Sequence, residues 1–340
     1  MSKEIVLNSP LDMHLHLRDG EMLKLVGPLT SKTFAGALIM PNLVPPVTTK
    51  EALLSYKQRI KEACKDDIFE PYLTLFFQEY SREFLASVKD EIIGIKLYPA
   101  GITTNSENGV AAIDAETLRP TLEAMSDLGI PLCVHGETNG FVMDREKEFM
   151  PIYEGLAKTF PKLKIIMEHI TTKDAVDLLP KYDNLYATIT LHHLIITLDD
   201  VAGGMLQPHL FCKPIAKRYE DRDALLNAAL EANPKVMFGS DSAPHPKHKK
   251  ESCGCAAGVF TSPIALQVLA ELFEKHEKLD NLNAFLSLNA QKIYNFKPLS
   301  KDITLVKEEF TVPNIYEGFG ENVVPMYNNQ KLLWSIKKEN

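Results

Sequence analysis

Short apolar segments rich in β-forming residues alternate with amphipathic segments along most of the chain, and this alternation constrains the fold most. The β-rich segments are residues 5–14, 34–40, 72–77, 92–98, 131–135, 164–169, 185–190 and 236–240. The segments with helical spacing are residues 50–63, 81–90, 115–128, 146–160, 173–179, 223–232 and 263–274. Strands that alternate with helices form parallel sheets, and eight such units close into a barrel. The sequence therefore predicts an α/β protein with a (β/α)8 TIM barrel.

The domain organisation follows from the lack of a linker rich in Pro, Gly or Ser between these units. We expect one domain over residues 1–340, with a β-containing C-terminal extension at residues 299–340 that packs on the outside of the barrel. Three connections that follow strands are unusually long: residues 99–113, 191–220 and 241–262. Long connections in compact domains are often functional, and in a barrel these connections lie on the catalytic face.

Composition excludes several classes of protein. The chain carries 37 Lys+Arg and 45 Asp+Glu, a net charge of −8, which argues against a nucleic-acid partner because phosphate binding needs a basic surface. No apolar segment approaches the ~18 residues of a membrane span, and residues 1–10 lack the layout of a signal peptide. The five scattered cysteines do not indicate a disulfide framework. We therefore expect a cytoplasmic protein with no membrane partner.

Side chains typical of metal ligands lie at the ends of several predicted strands. His14 and His16 alternate at the end of the first strand, so both are expected to project into the mouth of the barrel. Two imidazoles on one face can hold a metal ion, and a pair of hydrogen-bonded polar residues is the alternative. Further candidates in other strands are Lys96, His135, His169 and Asp241. Because the carboxyl ends of barrel strands meet at one face, this set predicts a catalytic site.

These motifs resemble the amidohydrolase superfamily of metal-dependent barrel hydrolases, and within it the dihydroorotase family of the shorter, bacterial type. The matching segments lie in the family's order: residues 12–19, 40–42, 96–105, 135–137, 168–169, 208–212, 241–245 and 253–256. The resemblance implies two Zn²⁺ ions per chain, held by His14, His16, Lys96, His135, His169 and Asp241. It also implies that Lys96 is carbamylated (N6-carboxylysine) and bridges the two ions. An ammonium has no lone pair for a metal, so an unmodified lysine that pairs with Asp241 is the alternative.

The resemblance further implies a reaction, namely the reversible cyclisation of N-carbamoyl-L-aspartate to dihydroorotate with loss of water, in pyrimidine biosynthesis. A bridging hydroxide would serve the hydrolytic direction, with Asp241 as general acid and base. The substrate-binding residues carried over from the family are Arg18, Asn42, Thr103, Thr104, Leu210, His245 and Ala256. Arg18 suits the free carboxylate of dihydroorotate, because a guanidinium binds a carboxylate through two hydrogen bonds. Thr103 and Thr104 would belong to a mobile lid.

Two other functions remain open from the sequence. A dihydropyrimidinase or hydantoinase on the same scaffold would share the metal ligands but would not need Arg18. A non-catalytic barrel that serves as an assembly subunit would be expected to have lost ligands. A homodimer is the default oligomeric state.

Other polar groups and one aromatic residue receive simpler interpretations. His192 and His193 are expected to support the ligands or to lie at the surface. The basic run at residues 247–250 is expected to be a solvated loop, with the steering of anionic substrates as the alternative. A Cys-Gly-Cys segment at residues 253–255 is expected to be a turn, with half of a zinc site as the alternative. Trp334 is expected to pack in the core.

Overall fold

The computed structural model describes residues 4–337. One strand, β1 (Glu4–Asn8), lies outside a central parallel sheet of eight strands. In that sheet each strand is hydrogen-bonded to the next strand along the chain. Its members are β2 (Leu11–Leu15), β3 (Gly36–Ile39), β4 (Glu70–Phe76), β5 (Ile92–Leu97), β6 (Leu132–Val134), β7 (Ile165–Met167), β8 (Leu185–Ile189) and β9 (Val236–Phe238).

Helices connect consecutive strands of this sheet, as the parallel arrangement requires. The helices are α1 (Gly20–Ser31), α2 (Lys50–Ala63), α3 (Arg82–Val88), α4 (Arg119–Leu128), α5 (Arg145–Thr159), α6 (Lys173–Leu178), α7 (Leu198–Ala202), α8 (Tyr219–Leu230), α9 (Lys247–Lys250), α10 (Ala265–Lys275) and α11 (Asn289–Tyr294). Within residues 4–337, none of them is long and apolar enough to cross a membrane. The succession of eight strand–helix units confirms the predicted (β/α)8 barrel.

The barrel closes between β2 and the segment that follows β9, and we call this contact the closing seam. Leu15 and Ser242 form a parallel bridge, and the backbone N–H of His16 donates to the Ser242 carbonyl at 3.2 Å. The buried Asp12 carboxylate accepts hydrogen bonds from the Ser240 backbone N–H at 2.8 Å and from the Ser240 hydroxyl at 2.5 Å. Side chains as well as backbone groups therefore hold the seam.

Two apolar clusters pack against the barrel wall. In β6, β7 and β9 the middle residues Cys133, Ile166 and Met237 belong to a small cluster, which also contains Tyr294 of α11. The residues on either side of them belong to a larger cluster shared with the outer helices. Successive side chains of a strand point to opposite faces, so the small cluster fills the interior of the barrel.

The predicted strand at residues 5–14 is divided in the structure. Ser9 has a positive φ of 46°, and Pro10 has no backbone N–H to donate. The chain therefore turns at these two residues. β1 leaves the barrel, and only β2 enters the parallel sheet.

No helix is predicted between the first two strands, whereas the structure has α1 there. This helix contains Gly27 and Pro28, which both have low helical propensity. A Cβ atom at position 27 would lie 3.2 Å from the Cys64 sulfur. Gly27 therefore permits close packing of α1 on the end of α2, and this tertiary contact is not visible in the local sequence.

The segment after α11 contains short antiparallel strands. β10 (Asp302–Val306) pairs with β1, with Val306 opposite Glu4 and Asp302 opposite Asn8. The remaining strands are β11 (Phe310–Thr311), β12 (Tyr316–Gly318), β13 (Glu321–Val323), β14 (Lys331–Leu332) and β15 (Ser335–Ile336). Trp334 is fully buried, as expected, and its indole N–H donates to the Glu274 carboxylate of α10 at 2.9 Å.

The basic run at residues 247–250 differs from its prediction as a solvated loop. These residues form α9, and the side chain of Lys250 is buried. Its Nζ donates to the carbonyl oxygens of Phe211 at 2.9 Å, Ala256 at 2.7 Å and Gly258 at 2.7 Å. Lys250 therefore ties together two of the long connections on the carboxyl side of the barrel.

Candidate active site

A cavity with about 350 Å³ of empty space opens at the carboxyl ends of the barrel strands. The residues that line it are His14, His16, Arg18, Asn42, Tyr98, Thr103, Thr104, His135, His169, Lys213, Asp241, Ala243, Ala257 and Gly258. Four predicted site residues are not part of this lining: Lys96, Leu210, His245 and Ala256.

The end of β2 brings His14 and His16 next to Asp241. The Nε2 atoms of His16 and His14 lie 3.1 Å and 3.6 Å from the same carboxylate oxygen, Oδ1 of Asp241. One potential ligand atom from each of His14, His169 and Asp241 lies within 4.8 Å of the others. Ligands of one zinc ion lie roughly 3–4 Å apart, because each is about 2 Å from the metal. The cluster is therefore close to the spacing of a metal site.

His135 and His169 follow β6 and β7 and present their rings to each other. The Nδ1 atom of His135 lies 3.2 Å from Nε2 of His169. Two nitrogen ligands of one tetrahedral zinc ion are separated by roughly 3.3 Å. The other ring nitrogen of His169 is buried and has no hydrogen-bond partner within residues 4–337. This pair therefore has the separation that a shared metal ion requires.

Acceptor side chains orient three of these imidazoles. The contacts are His14 Nδ1 to Glu168 Oε2 at 2.7 Å, His16 Nδ1 to Asn42 Oδ1 at 2.9 Å and His135 Nε2 to Glu137 Oε2 at 2.8 Å. When the nitrogen at each contact carries the proton, the opposite ring nitrogen has a free lone pair. Partners of this kind fix the ring orientation and tautomer of metal-binding histidines. Neither glutamate was identified from the sequence, although Glu168 directly precedes His169 and Glu137 lies two residues after His135.

Burial keeps His14, His16 and His169 neutral. Loss of solvation lowers the pKa of His14 and His169 well below the usual range, and the positive charge of Lys96 acts in the same direction. Burial likewise lowers the pKa of His16. A metal ion binds the neutral imidazole, so these rings do not have to lose a proton at neutral pH before they bind one.

Lys96 is fully buried in β5 and does not form the alternative ion pair with Asp241. Within residues 4–337 its Nζ has no hydrogen-bond partner, and it lies 5.1 Å from the centroid of the Tyr98 ring. Burial lowers the pKa of the Lys96 ammonium, while the carboxylates of Glu168 and Asp241 oppose this effect. A buried ammonium without a hydrogen bond is costly, so the position favours a different chemical form of this side chain.

Asp241 follows β9 in a backbone conformation that positions its carboxylate. Its φ is +44°, and its N–H donates to the His14 carbonyl at 2.8 Å. Burial would raise the pKa of its carboxyl, but the neighbouring His16, His14 and Lys96 outweigh burial and lower the pKa to about 2. Arg18 and His169 also have positive φ, 58° and 40°. Such conformations cost about 1–3 kcal/mol each and cluster at functional sites.

Arg18 projects from the end of β2 into the cavity wall. Its Nε donates to the Pro244 carbonyl at 3.1 Å, and its Nη2 lies 3.0 Å from Nε2 of His245. His245 is thus beside the guanidinium, although it does not line the cavity itself. Within residues 4–337, no carboxylate lies within ion-pairing distance of Arg18.

The connection after β5 covers one side of the cavity. The side chain of Asn42 donates to the Thr104 carbonyl at 3.0 Å, and the side chain of Asn105 donates to the Asn42 carbonyl at 3.0 Å. Thr103 and Thr104 both line the cavity. Asn42 therefore contacts both His16 and the connection that carries the two threonines.

Two of the residues expected to bind substrate, Leu210 and Ala256, lie outside the cavity lining. The N–H of Leu210 donates to the Gln207 carbonyl at 3.0 Å. The N–H of Ala256 donates to the Lys249 carbonyl at 3.0 Å, and its carbonyl accepts from the Nζ of Lys250. In the structure, the next two residues of this loop, Ala257 and Gly258, line the cavity instead.

Tyr98 and Lys213 line the cavity but were not identified from the sequence. The Tyr98 hydroxyl is buried without a hydrogen-bond partner within residues 4–337. Tyr98 lies two residues after Lys96, and alternate residues of a strand share a face, so the sequence could have placed Tyr98 beside Lys96. Lys213 lies in the long connection after β8, where no regular repeat indicates which side chains point inward.

Comparison with known proteins adds independent evidence. The amidohydrolase family profile matches residues 6–299. The dihydroorotase of Helicobacter hepaticus is 44% identical over 343 residues that cover 100% of both chains. A crystal structure of dihydroorotase from Campylobacter jejuni is 60% identical, covers 99% of this chain and 98% of its own, and superposes with a TM-score of 0.96. The dihydroorotase of Saccharomyces cerevisiae, solved with 5-fluoroorotic acid, is 34% identical over 98% of both chains, with a TM-score of 0.92.

These matches confirm the resemblance that was inferred from the strand-end motifs. The profile covers most of the chain, and the relatives match it over nearly their whole length. The chain therefore belongs to the amidohydrolase family, among its dihydroorotases.

Proposed function

We propose that the protein catalyses the reversible cyclisation of N-carbamoyl-L-aspartate to (S)-dihydroorotate with loss of water, as a step of pyrimidine (UMP) biosynthesis. The observation that carries this proposal is Arg18, whose guanidinium faces the cavity of the histidine cluster without an ion-pair partner within residues 4–337. Such a group can bind the free carboxylate that both compounds carry. The yeast relative was solved with 5-fluoroorotic acid, which is a pyrimidine carboxylic acid.

The donor set fits a pair of zinc ions. Neutral imidazoles and a carboxylate are ordinary zinc ligands, and the separation of His135 from His169 suits a shared ion. The residues that would hold the ions are His14, His16, Lys96, His135, His169 and Asp241. Six ligands exceed the four of one tetrahedral ion, which favours two ions. When bound, the ions would supply a nucleophilic water at neutral pH and would polarise the reacting carbonyl.

Lys96 joins this set as a carbamate. Burial lowers the pKa of its ammonium, so a larger fraction is the free amine that reacts with carbon dioxide. The nitrogen of the amine forms a bond to the carbon of CO₂ and releases one proton. The product is an anion with two oxygens, which suits a position between two cations. This form also removes the buried, unpartnered ammonium.

Asp241 moves the proton in both directions of the reaction. During hydrolysis its carboxylate takes a proton from the attacking water and then gives it to the ring nitrogen as the C–N bond breaks. During cyclisation it takes a proton from the ureido nitrogen as that nitrogen attacks the side-chain carboxyl carbon. Asp241 returns this proton to the carboxyl oxygen as the C–O bond breaks, and a second proton taken from solvent completes the water that leaves. The lowered pKa of Asp241 keeps its carboxylate ionised at neutral pH, and only the ionised form can act as the base.

The remaining residues position the substrate. Arg18 binds the free carboxylate, with the Asn42 amide and His245 beside it. Thr103 and Thr104 contact the substrate from the connection that covers the cavity. Leu210 and Ala256 offer backbone groups to the ring amides. To do so, both loops would exchange their present hydrogen bonds for contacts with the substrate.

The test compares hydrolysis of dihydroorotate and dihydrouracil, which differ by one carboxylate. Wild-type protein should favour dihydroorotate by tens to thousands-fold in kcat/KM, on the order of the ~2–5 kcal/mol that an unpaired buried charge costs. Arg18→Met should lose most activity on dihydroorotate, keep its metal and discriminate far less. Arg18→Lys should recover part of the activity, because an ammonium restores the charge without the two-pronged geometry. Arg82→Met is the control, since Arg82 is exposed and pairs with Asp127.

Equal hydrolysis of the two rings by the wild-type protein would contradict the proposal and would indicate a dihydropyrimidinase. Absence of turnover on both rings in metal-loaded protein would indicate a non-catalytic barrel. We further propose a homodimer in the cytoplasm, which light scattering of the purified protein and fractionation of cells would check.

A further inference from the structure

A second group of metal-ligand side chains lies outside the candidate active site, in the long connection between β8 and α8. His192 and His193 begin a short 3-10 helix (His192–Leu194), and Cys212 lies further along the same connection. All three side chains are buried. One potential ligand atom from each lies within 4.8 Å of the other two. The proposed reaction uses none of them.

His192 is the member of this group whose environment is hardest to explain by packing alone. Its side chain is 0% exposed, and neither of its ring nitrogens has a hydrogen-bond partner within residues 4–337. A buried polar atom that has lost its water and gained no partner destabilises the folded state. An ion bound to one ring nitrogen would remove this penalty.

His193 and Cys212 have the separation of two ligands of one zinc ion. The Nε2 atom of His193 lies 3.6 Å from Sγ of Cys212. A tetrahedral ion with Zn–S of about 2.3 Å and Zn–N of about 2.0 Å places these two atoms roughly 3.5–3.6 Å apart. The other nitrogen of His193, Nδ1, lies 2.9 Å from the Thr190 hydroxyl oxygen, which can accept its proton. Such a partner leaves Nε2 unprotonated for a metal.

We propose that His192, His193 and Cys212 form a zinc site that is separate from the catalytic one. Binding breaks the S–H bond of Cys212 and forms a Zn–S bond, with the proton released to solvent. Three protein ligands leave one position of a tetrahedral ion. A water or the Pro214 carbonyl takes it, and this carbonyl oxygen lies 3.0 Å from His193 Nε2 and 3.2 Å from Cys212 Sγ. A thiolate with two imidazoles selects zinc over magnesium or calcium, which prefer oxygen ligands.

The position of this site gives it a structural consequence. It joins the start of the connection, next to β8, to the segment that carries Leu210 and Lys213. Lys213 lines the catalytic cavity, and Leu210 is the proposed backbone contact to the substrate ring. A metal ion here therefore crosslinks the loop that forms one wall of the active site.

Cobalt(II) distinguishes this site from the catalytic ligands. The catalytic set contains no sulfur, so only a cysteine-containing site gives a thiolate-to-cobalt charge-transfer band in the near ultraviolet. The full-length protein is freed of metal with a chelator and titrated with cobalt(II), while bound cobalt is counted by mass spectrometry. We expect the wild-type protein to show the charge-transfer band. We expect Cys212→Ser to lack this band and to bind one cobalt equivalent fewer.

Two further variants make the result specific. The double variant Cys253→Ser/Cys255→Ser should keep the band, because these residues are not part of the site. His192→Gln should weaken cobalt binding at this site by about tenfold or more, since loss of even a supporting residue costs 10–100-fold. Because the His192 ring makes no hydrogen bonds within residues 4–337, this variant serves as the test if Cys212→Ser does not fold.

Three outcomes would overturn the proposal. The first is no charge-transfer band in wild-type protein at saturating cobalt. The second is a band that survives Cys212→Ser but is lost in the Cys253→Ser/Cys255→Ser variant. The third is an unchanged cobalt affinity in His192→Gln. Any of these results would show that the cluster is a hydrogen-bonded part of the core, in which His193 Nε2 donates to the Pro214 carbonyl.

Discussion

Burial, more than charge, determines the chemical state of the side chains at the active site. The loss of solvent lowers the pKa of His14, His16 and His169, so that each ring is neutral and can offer a lone pair. The same effect lowers the pKa of Lys96 and makes its amine form accessible. A single physical cause therefore favours both kinds of ligand that the proposed zinc site requires, imidazole and carbamate.

Replacement of Lys96 tests its proposed role as a zinc ligand. Lys96→Ala removes the proposed bridging carbamate, so we expect a loss of bound zinc and of most of the hydrolysis of dihydroorotate. The barrel should still fold, because the variant also removes a buried polar atom without a partner. Zinc per chain is measured by mass spectrometry, and folding is measured by far-ultraviolet circular dichroism.

Lys213→Ala is the matched control for this experiment. It removes a second lysine at the same cavity, but one that lies in a loop and is not in the ligand set. Its zinc content should equal that of the wild-type protein. A full zinc complement in Lys96→Ala would contradict the bridging role of Lys96.

The site residues that the sequence predicts are those fixed by regular geometry. The ends of parallel strands meet at one face, so His14, His135 and His169 are placed together once the strands are recognised. Lys213 and Ala257 line the same cavity but lie in long connections. Their directions depend on hydrogen bonds between loops, such as those donated by Lys250, and no sequence period encodes such contacts.

Few hydrogen bonds hold the connection after β5 over the cavity. Two of them join this connection to Asn42, one through the Thr104 carbonyl and one through the Asn105 side chain. The double variant Thr103→Ala/Thr104→Val should lower kcat without a change in zinc content, because the two hydroxyls are proposed to contact the substrate once the connection closes. The measurement is steady-state kinetics together with zinc analysis.

The control for the lid variant is Thr117→Ala, which lies outside the cavity lining and before α4. It should leave kcat and KM close to the wild-type values. If the double variant also has wild-type kcat and KM, the connection after β5 is only a link between β5 and α4.

The elements themselves were predicted where local pattern and packing agree. Seven of the barrel strands and the helices α2 to α6 follow the hydrophobic periods of the sequence. The helix α1 was missed because Gly27 and Pro28 oppose helix formation locally, while the contact with Cys64 that favours it is distant in the chain. The first strand was predicted too long because apolar residues lie on both sides of the turn at Ser9 and Pro10, so the pattern does not show the break.

For the whole molecule, the closing seam depends on a buried carboxylate. Asp12 accepts three hydrogen bonds, two from Ser240 and one from the His14 N–H. Ser240→Ala removes the hydroxyl donor and leaves one carboxylate oxygen unpaired, which should lower the free energy of unfolding by about 1–3 kcal/mol. Urea denaturation of the metal-free protein measures this change.

Ser87→Ala is the corresponding control, because the Ser87 hydroxyl is exposed and bonds only within its own helix turn. Its free energy of unfolding should differ from that of the wild-type protein by less than about 0.5 kcal/mol. Equal midpoints for Ser240→Ala and the wild-type protein would show that backbone hydrogen bonds alone hold the seam.

The pairing of β1 with β10 also affects how the chain is made. β1 is synthesised before the barrel strands β2 to β9, whereas its partner at Asp302–Val306 is synthesised after all of them. At about 5–20 residues per second, this delay amounts to roughly 15–60 s. During that time β1 is a strand without a neighbour, while the parallel barrel can already assemble from β2 to β9. The pairing of β1 with β10 can therefore form only after the whole barrel has been synthesised, and it links the two segments that flank the barrel in the sequence.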